Sequence, residues 1–288
     1  MEQIRKIKYW IGLVIMVFAI LASVHMAFAA TGTIRVQGTC DYDRAYQVLE
    51  LVNKERKKQG QAPLEMDKDL LEAAMLRAAE CSVSFSHVRP NGKDCFSACE
   101  KMYGENIAYG YNTMSEADEV MNAWMNSSGH RQNILGSGYT SIGIGCFYMG
   151  DSYYWTQCFG MTDAESLSIS GVQKKAYNVS VYTDTKVAKV SKVKLTSNGK
   201  RLLLKWKRAK GIKGYEIQIS SDEQFKKAFT TTHKVSKDAV SKKFTTLKKK
   251  NLERGKKYYV RIRAYTTKKY DGKTMTIRGA WTTVDKKL

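Results

Sequence analysis

Gly104-Glu105-Asn106-Ile107-Ala108, followed by Trp124-Met125-Asn126-Ser127-Ser128-Gly129-His130-Arg131 and then Asn133-Ile134-Leu135, is the stretch on which the reading of this chain turns. Ahead of the tryptophan, Ala117, Val120, Met121 and Trp124 recur at i, i+3, i+4 and i+7, the spacing of a helix with one buried face. Ser115-Glu116-Ala117-Asp118 resembles a capping box at its start, with Asp where Glu is usual. Ser127-Ser128-Gly129 predicts the end of that helix, with His130 delivered just beyond it, where glycine lets the chain turn. Upstream, Ser86-His87 supplies a second imidazole, and the remaining histidines are His25 near the N-terminus and His233 in a lysine-rich region. Two imidazoles with the Glu105 carboxylate between them in sequence are the raw material of a metal site or an acid–base pair.

On the N-terminal side, Ala45, Val48, Leu49 and Val52 predict a first amphipathic helix over 42–59, capped by Asp41 or Asp43. Pro63 breaks the pattern. A second helix is predicted from Asp67 or Asp69 to about Cys81, with Leu70, Leu71, Ala74 and Ala78 on one face. On the C-terminal side the period shortens to that of a strand. Ile142 to Phe147 and Tyr153 to Phe159, flanking Gly150-Asp151, read as a β-hairpin. Helices followed by a hairpin predict an α+β domain over 42–163, preceded by an N-terminal extension, 30–41, and followed by a linker, 164–188, that has no convincing period.

Residues 1–29 have the order of a secretory leader: Arg5, Lys6 and Lys8, an apolar run from Trp10 to Val24, then Ala27-Phe28-Ala29 as an A-x-A cleavage site. An uncleaved membrane anchor is the competing reading of the same run. All six cysteines, Cys40, Cys81, Cys95, Cys99, Cys146 and Cys158, lie in the first half, and an even count in an exported chain favours disulfides. A tight turn at Gly150-Asp151 sets Cys146 opposite Trp155, so Cys146 and Cys158 would face opposite sides of the hairpin.

Charge divides the chain. Residues 1–171 hold 15 Lys and Arg against 19 Asp and Glu, whereas residues 172–288 hold 33 against 8, within a total of +21. In an exported protein such a polycation points to an anionic envelope polymer or lipid headgroups rather than to nucleic acid. Lys248, Lys249, Lys250, Arg261 and Arg263 are its candidate contact residues. Over 189–288, Leu202, Leu204 and Trp206, then Tyr215, Ile217 and Ile219, then Tyr258, Val260, Ile262 and Ala264 alternate as strands of a small β-sandwich. Leu252 to Tyr265 resembles the tyrosine-corner strand of a fibronectin type III domain, with Tyr258 as the corner and Trp206 as core tryptophan.

Residues 42–163 resemble the CAP superfamily (cysteine-rich secretory, antigen 5 and pathogenesis-related 1 proteins; SCP-like). The likeness is carried by Ser86-His87, Gly104 to Ala108, Trp124 to Leu135, Ile142-Gly143-Ile144-Gly145 and Tyr154-Trp155-Thr156-Gln157 in that order. The resemblance implies an α-β-α sandwich and a cleft with two histidines and two glutamates. His87, His130 and Glu105 match three of these, while Ser127 stands where longer members carry the second glutamate; the shortened form resembles the bacterial branch. Three donors suffice for zinc or another divalent metal with one position open to water. Asn106, Ser127, Ser128 and Arg131 would then orient the histidines or line the cleft. A hydrogen-bonded network that ties helices to sheet and binds nothing is the plain structural reading of the same residues.

Three functions compete. The first is an exported or cell-surface binding protein, whose cleft takes an apolar, peptide or cell-wall ligand while the basic sandwich holds an anionic surface. The second is a zinc-dependent hydrolase or peptidase acting on extracellular peptides or cell-wall material. The third is an adhesive protein with a vestigial cleft. The missing fourth acid leaves a metal-bound water without an obvious base, which favours binding. No phosphate-cradling glycine loop and no G-x-S-x-G elbow occurs, which disfavours nucleotide and serine-hydrolase chemistry.

Overall fold

The computed structural model describes residues 30–199 and 201–288; the leader expected over 1–29 lies outside them. Contacts divide the described chain into two compact units, Ile34–Val181 and Tyr182–Leu288, the second also taking in residues 30–33.

The first unit contains β1 (Ala30–Asp41), α1 (Tyr42–Lys58), β2 (Glu65–Met66), α2 (Lys68–Cys81), β3 (Met102–Tyr111), α3 (Ala117–Asn126), α4 (Ser128–Leu135), β4 (Ser141–Met149), β5 (Ser152–Gly160) and β6 (Val172–Thr183). Strands β1, β4, β5 and β3 neighbour one another in that order, with β6 paired to β1 and β2 parallel to β4. The alternation of Ile-Gly-Ile-Gly in β4 explains the layering. A Cβ at Gly143 would lie 2.0 Å from the Leu70 carbonyl and one at Gly145 would lie 2.3 Å from that of Ala74, so bare backbone on this face lets α2 lie directly on the sheet. The intervening Ile142 and Ile144 are fully buried on the other face, where α1, α3 and α4 complete an α-β-α sandwich.

Caps set the helix starts. The Asp41 side chain accepts from the Arg44 amide and opens α1, and the Asp67 side chain accepts from the Leu70 amide and opens α2. At α3 the expectation is corrected: Glu116, not Ser115, is the N-cap, and it exchanges capping hydrogen bonds with Glu119. The predicted end of that helix is corrected as well. Ser127 is the shared cap of two helices, because α4 starts at once, so His130 sits inside a short helix and not beyond a terminus.

Both flanks differ from expectation. The predicted N-terminal extension is β1, which buries Ile34, Val36 and Cys40 on alternate residues. The predicted linker is structured too. Tyr46 donates to the Leu167 carbonyl, Gly171 donates to Asp43, and β6 then alternates faces with Lys175, Tyr177, Val179 and Val181 turned inward. Half of those inward residues are polar or amphipathic, so the period of burial is not a period of hydropathy.

The second unit continues with β7 (Lys194–Ser197), β8 (Leu202–Lys205), β9 (Gly214–Ser220), β10 (Thr230–Ser236), β11 (Ser241–Phe244), β12 (Thr246–Leu247), β13 (Lys250–Asn251), β14 (Lys257–Tyr270), β15 (Lys273–Arg278) and β16 (Thr282–Lys287). One sheet pairs β10, β9 and β14, with β15 and β16 each also paired to β14; the facing sheet is β11-β8-β7. Trp206, Tyr215, Ile217, Ile219, Tyr258, Val260 and Ile262 fill the space between them. The Tyr258 hydroxyl accepts from the Glu253 amide at 2.8 Å, the tyrosine corner expected from the sequence.

Candidate functional site

Strand β3 is the outer strand of the first unit's sheet, and its consecutive residues Glu105 and Asn106 face opposite sides of it. Each holds one of the two histidine-bearing segments. On the α2 side, a Glu105 carboxylate oxygen lies 2.7 Å from His87 Nδ1. On the α4 side, Asn106 Nδ2 donates to the backbone carbonyl of His130 at 3.0 Å and to Gln157 at 2.9 Å, and Asn133 donates to Asn106. Asn133 also donates to the Glu105 carbonyl and Trp124 to that of Ile107, which covers the strand's open edge. His130 is half-buried, and its imidazole is held below the usual histidine range by burial first and by the nearby His87 second. The two imidazoles are near enough for His87 to lower the basicity of His130, although the segments that carry them are held on opposite faces of β3.

Glu105 is not a free carboxylate. Arg77, fully buried on α2, donates through Nε to Glu105 at 2.7 Å, through Nη1 to Glu80 at 2.7 Å, and through Nη2 to the Ser86 carbonyl at 2.7 Å. Arg89 closes the network on Glu80, with its shortest contact 2.7 Å, and also donates to the Ser97 carbonyl. Arg77, Glu80 and Arg89 are absent from the sequence-derived site. Their signal is Arg77 and Glu80 spaced i,i+3 among the buried alanines at the end of α2, and Arg89 two residues after the histidine.

Among the described residues, the group whose metal-binding atoms all lie within 4.8 Å of one another is His87, Cys95 and Glu105. His130 is not in that group. Of the other expected cleft residues, Asn106 positions His130 as described. Arg131 donates to the Met125 carbonyl at the end of α3, Ser127 shares its backbone between the two helix ends, and Ser128 is exposed at the start of α4. Phe85, Tyr109 and Tyr154 form an aromatic row, with ring centroids 6.2 and 5.0 Å apart.

Residues 49–159 match the family model of the cysteine-rich secretory protein family, CAP, and residues 188–276 match that of the fibronectin type III domain. The chain carries a CAP domain over 49–159, followed by a fibronectin type III domain over 188–276. The uncharacterized protein YkwD of Bacillus subtilis is 40% identical over 121 residues, covering 39% of this chain and 45% of that protein. The chain spans less than half the length of the curated relatives it matches. An extracellular protein containing a SCP domain from Bacillus anthracis is 25% identical, with a TM-score of 0.37, over 41% of this chain and 40% of that one. The fibronectin type III domain of the human collagen alpha-1(XX) chain is 14% identical, with a TM-score of 0.27, over 36% of this chain and 88% of that one.

The cysteines of the CAP unit depart from expectation: all six are thiols. Register accounts for the Cys146–Cys158 pair, and for Cys40 as well. Cys146 lies opposite Trp155 while Cys158 lies opposite Gly143, and Cys40 lies opposite Phe147, so Cys146 points away from both Cys158 and Cys40. Burial pushes the Cys95 thiol up to about 12, the reverse of an activated nucleophile. Elsewhere in the CAP unit, a groove of about 550 Å³ is lined by Leu71, Met75, Leu76, Leu167, Ile169 and Tyr177 among others, and none of His87, Glu105 or His130 reaches it.

In the fibronectin type III unit the five expected basic residues fall into two groups. Arg263 is paired with the buried Glu216 at 2.7 Å, and its guanidinium stacks on Trp281 at 4.2 Å. Arg261 is held between Phe225 and Trp281 and donates to Gln218, and burial first, Arg263 second, lower its basicity. Lys248, Lys249 and Lys250 are exposed at the β12–β13 turn, where Lys248 and Lys249 both have positive φ, 51° and 65°. Such a two-residue turn suits Asn-Gly. Placing lysines there costs backbone energy, and what it presents is a tip of three adjacent cations. Lys248→Asn/Lys249→Gly is therefore expected to raise unfolding stability by about 1 kcal/mol per residue while weakening binding to anionic vesicles. Thermal melts and vesicle sedimentation of the same variant check the two opposite signs.

Proposed function

We propose that this chain is an exported binding protein in which the CAP cleft of His87, Glu105 and His130 takes a divalent metal or an extracellular ligand, while the fibronectin type III unit holds an anionic envelope polymer or lipid surface. The observation that carries the binding reading over a hydrolytic one is the Arg77–Glu105 pair. Both Glu105 oxygens are already engaged, one by Arg77 and the other by His87, and Ser127 offers no second acid, so a metal-bound water would lack its base. Among the described residues no helix is long and apolar enough to cross a membrane.

Two measurements test the halves separately. Zinc added to the wild-type chain is expected to raise its thermal midpoint, and to do so much less in His87→Ala/His130→Ala, because a ligand bound only by the folded state stabilises it. An unmoved wild-type midpoint sinks the metal reading. Retention on phosphatidylglycerol vesicles is expected to fall steeply between about 0.1 M and 1 M salt, as the screening length drops from roughly 10 to 3 Å, and to fall further in Lys248→Gln/Lys249→Gln/Lys250→Gln. Equal retention at both salt concentrations sinks the electrostatic reading.

A further inference from the structure

The segment after His87 folds back on itself. Val88 and Asp94 form an antiparallel bridge, Arg89 accepts from and donates toward the same small turn, with its amide bonded to the Lys93 carbonyl, and its side chain is pinned to Glu80 on α2. In an antiparallel pair, residues one step outward from a bridged pair again face each other and share a side. Here those residues are His87 and Cys95, and Glu105 on β3 is the third wall. Cys95 is 5% exposed at the start of a short helical turn, Cys95–Ala98, whose cap is Asp94.

We propose that Cys95 is a metal ligand, and that His87, Cys95 and Glu105 together form a thiolate-containing site for zinc or another borderline-soft divalent ion. The inference shares His87 and Glu105 with the cleft reading above but assigns the third ligand to Cys95 and not to His130. Geometry supplies the first argument, since the three donor atoms already lie within 4.8 Å of one another and need to close only modestly to meet ion–ligand distances of about 2.0–2.3 Å. Charge supplies the second. Arg77 and Arg89 offset Glu80 and Glu105 one for one, so an arriving dication needs further anions, which Asp94 beside Cys95 and the Cys95 thiolate itself can supply. Binding forms metal bonds to sulfur, imidazole nitrogen and carboxylate oxygen, breaks the S–H bond with its proton passing to solvent, and displaces the proton shared by His87 Nδ1 and Glu105 to the other imidazole nitrogen or to solvent. The donor set of one sulfur, one imidazole nitrogen and one carboxylate oxygen suits zinc over magnesium or calcium, which prefer oxygen ligands alone.

The test is a Co²⁺ titration of the full chain kept reduced with a phosphine, read by the sulfur-to-cobalt charge-transfer band in the near ultraviolet, with Zn²⁺ added afterwards as competitor. The wild type is expected to develop the band and lose it to zinc. Cys95→Ser is expected to abolish the band, whereas Cys99→Ser and His130→Ala keep it. Because Cys95 is buried, its variant is melted without metal as a folding check. His87→Gln, at an exposed side chain, is the independent arm and is expected to weaken cobalt binding. A band that survives Cys95→Ser, or cobalt binding untouched by His87→Gln, overturns the proposal. Cobalt bound without any charge-transfer band and released by His130→Ala overturns it while leaving the His87, Glu105 and His130 cleft standing. No cobalt binding at all removes both.

Discussion

Arg77→Met is expected to lower the unfolding free energy by about 3–5 kcal/mol, the cost of stripping one partner from a buried ion pair. Arg77 has no exposed surface, and its two carboxylate partners, Glu80 and Glu105, have side chains 3% and 1% exposed. Burial by itself would lower the basicity of this guanidinium; the hydrogen bond with Glu105, reinforced by Glu80, more than restores it. With methionine in its place, Glu105 keeps only His87, and Glu80 keeps only Arg89. The arginine also fixes the Ser86 carbonyl, so its loss frees the segment that carries His87. Urea denaturation of Arg77→Met and of Arg77→Met/Glu105→Gln checks the argument. The double variant is expected to recover part of the loss, because it removes one of the stranded anions. Equal stability of Arg77→Met and wild type contradicts it.

Arg56→Leu is the second large expectation, with a loss of about 3 kcal/mol from stranded polar groups. Arg56 is 1% exposed, and every hydrogen bond given to its side chain ends on a backbone carbonyl: Ala62 at 2.7 Å, Gly136 at 2.8 Å, Ile134 at 2.9 Å and Tyr139 at 3.4 Å. Burial lowers its basicity, but the aligned carbonyls at the end of α4 are the negative pole of a helix and hold the charge in place. Leucine fills much of the space and answers none of these oxygens. Since α4 also carries His130, amide exchange over 134–139 is expected to accelerate in this variant along with the fall in stability. Unchanged exchange there would separate Arg56 from the cleft.

Where sequence and structure part company, the reason lies in what a period can encode. The leucine and alanine spacing of α2, the Cys146–Trp155 register and the Tyr258 corner are local patterns, and all three stand in the structure. The segment 164–188 was opaque because the inward face of β6 includes Lys175 and Tyr177, whose aliphatic and aromatic bodies pack while their polar ends bond elsewhere. His130 was misplaced because Ser127 and Gly129 resemble a helix end, whereas the chain bends for one residue and starts a new helix.

By itself, then, the order of residues determined helices followed by a hairpin, a β-sandwich after them, and the charge asymmetry between the two halves, because each of these is written in local spacing or composition, whereas the α-β-α layering and the candidacy of His87, Glu105 and His130 rest on a resemblance of motifs. Only tertiary structure decided that Glu105 is shared with Arg77, that Asn106 rather than Ser128 or Arg131 holds His130, and that Cys95 closes on His87. Those meetings depend on which face of an edge strand a residue occupies and on what packs against it. Groups far apart along the chain come together through the folded layers and not through any repeat in the sequence.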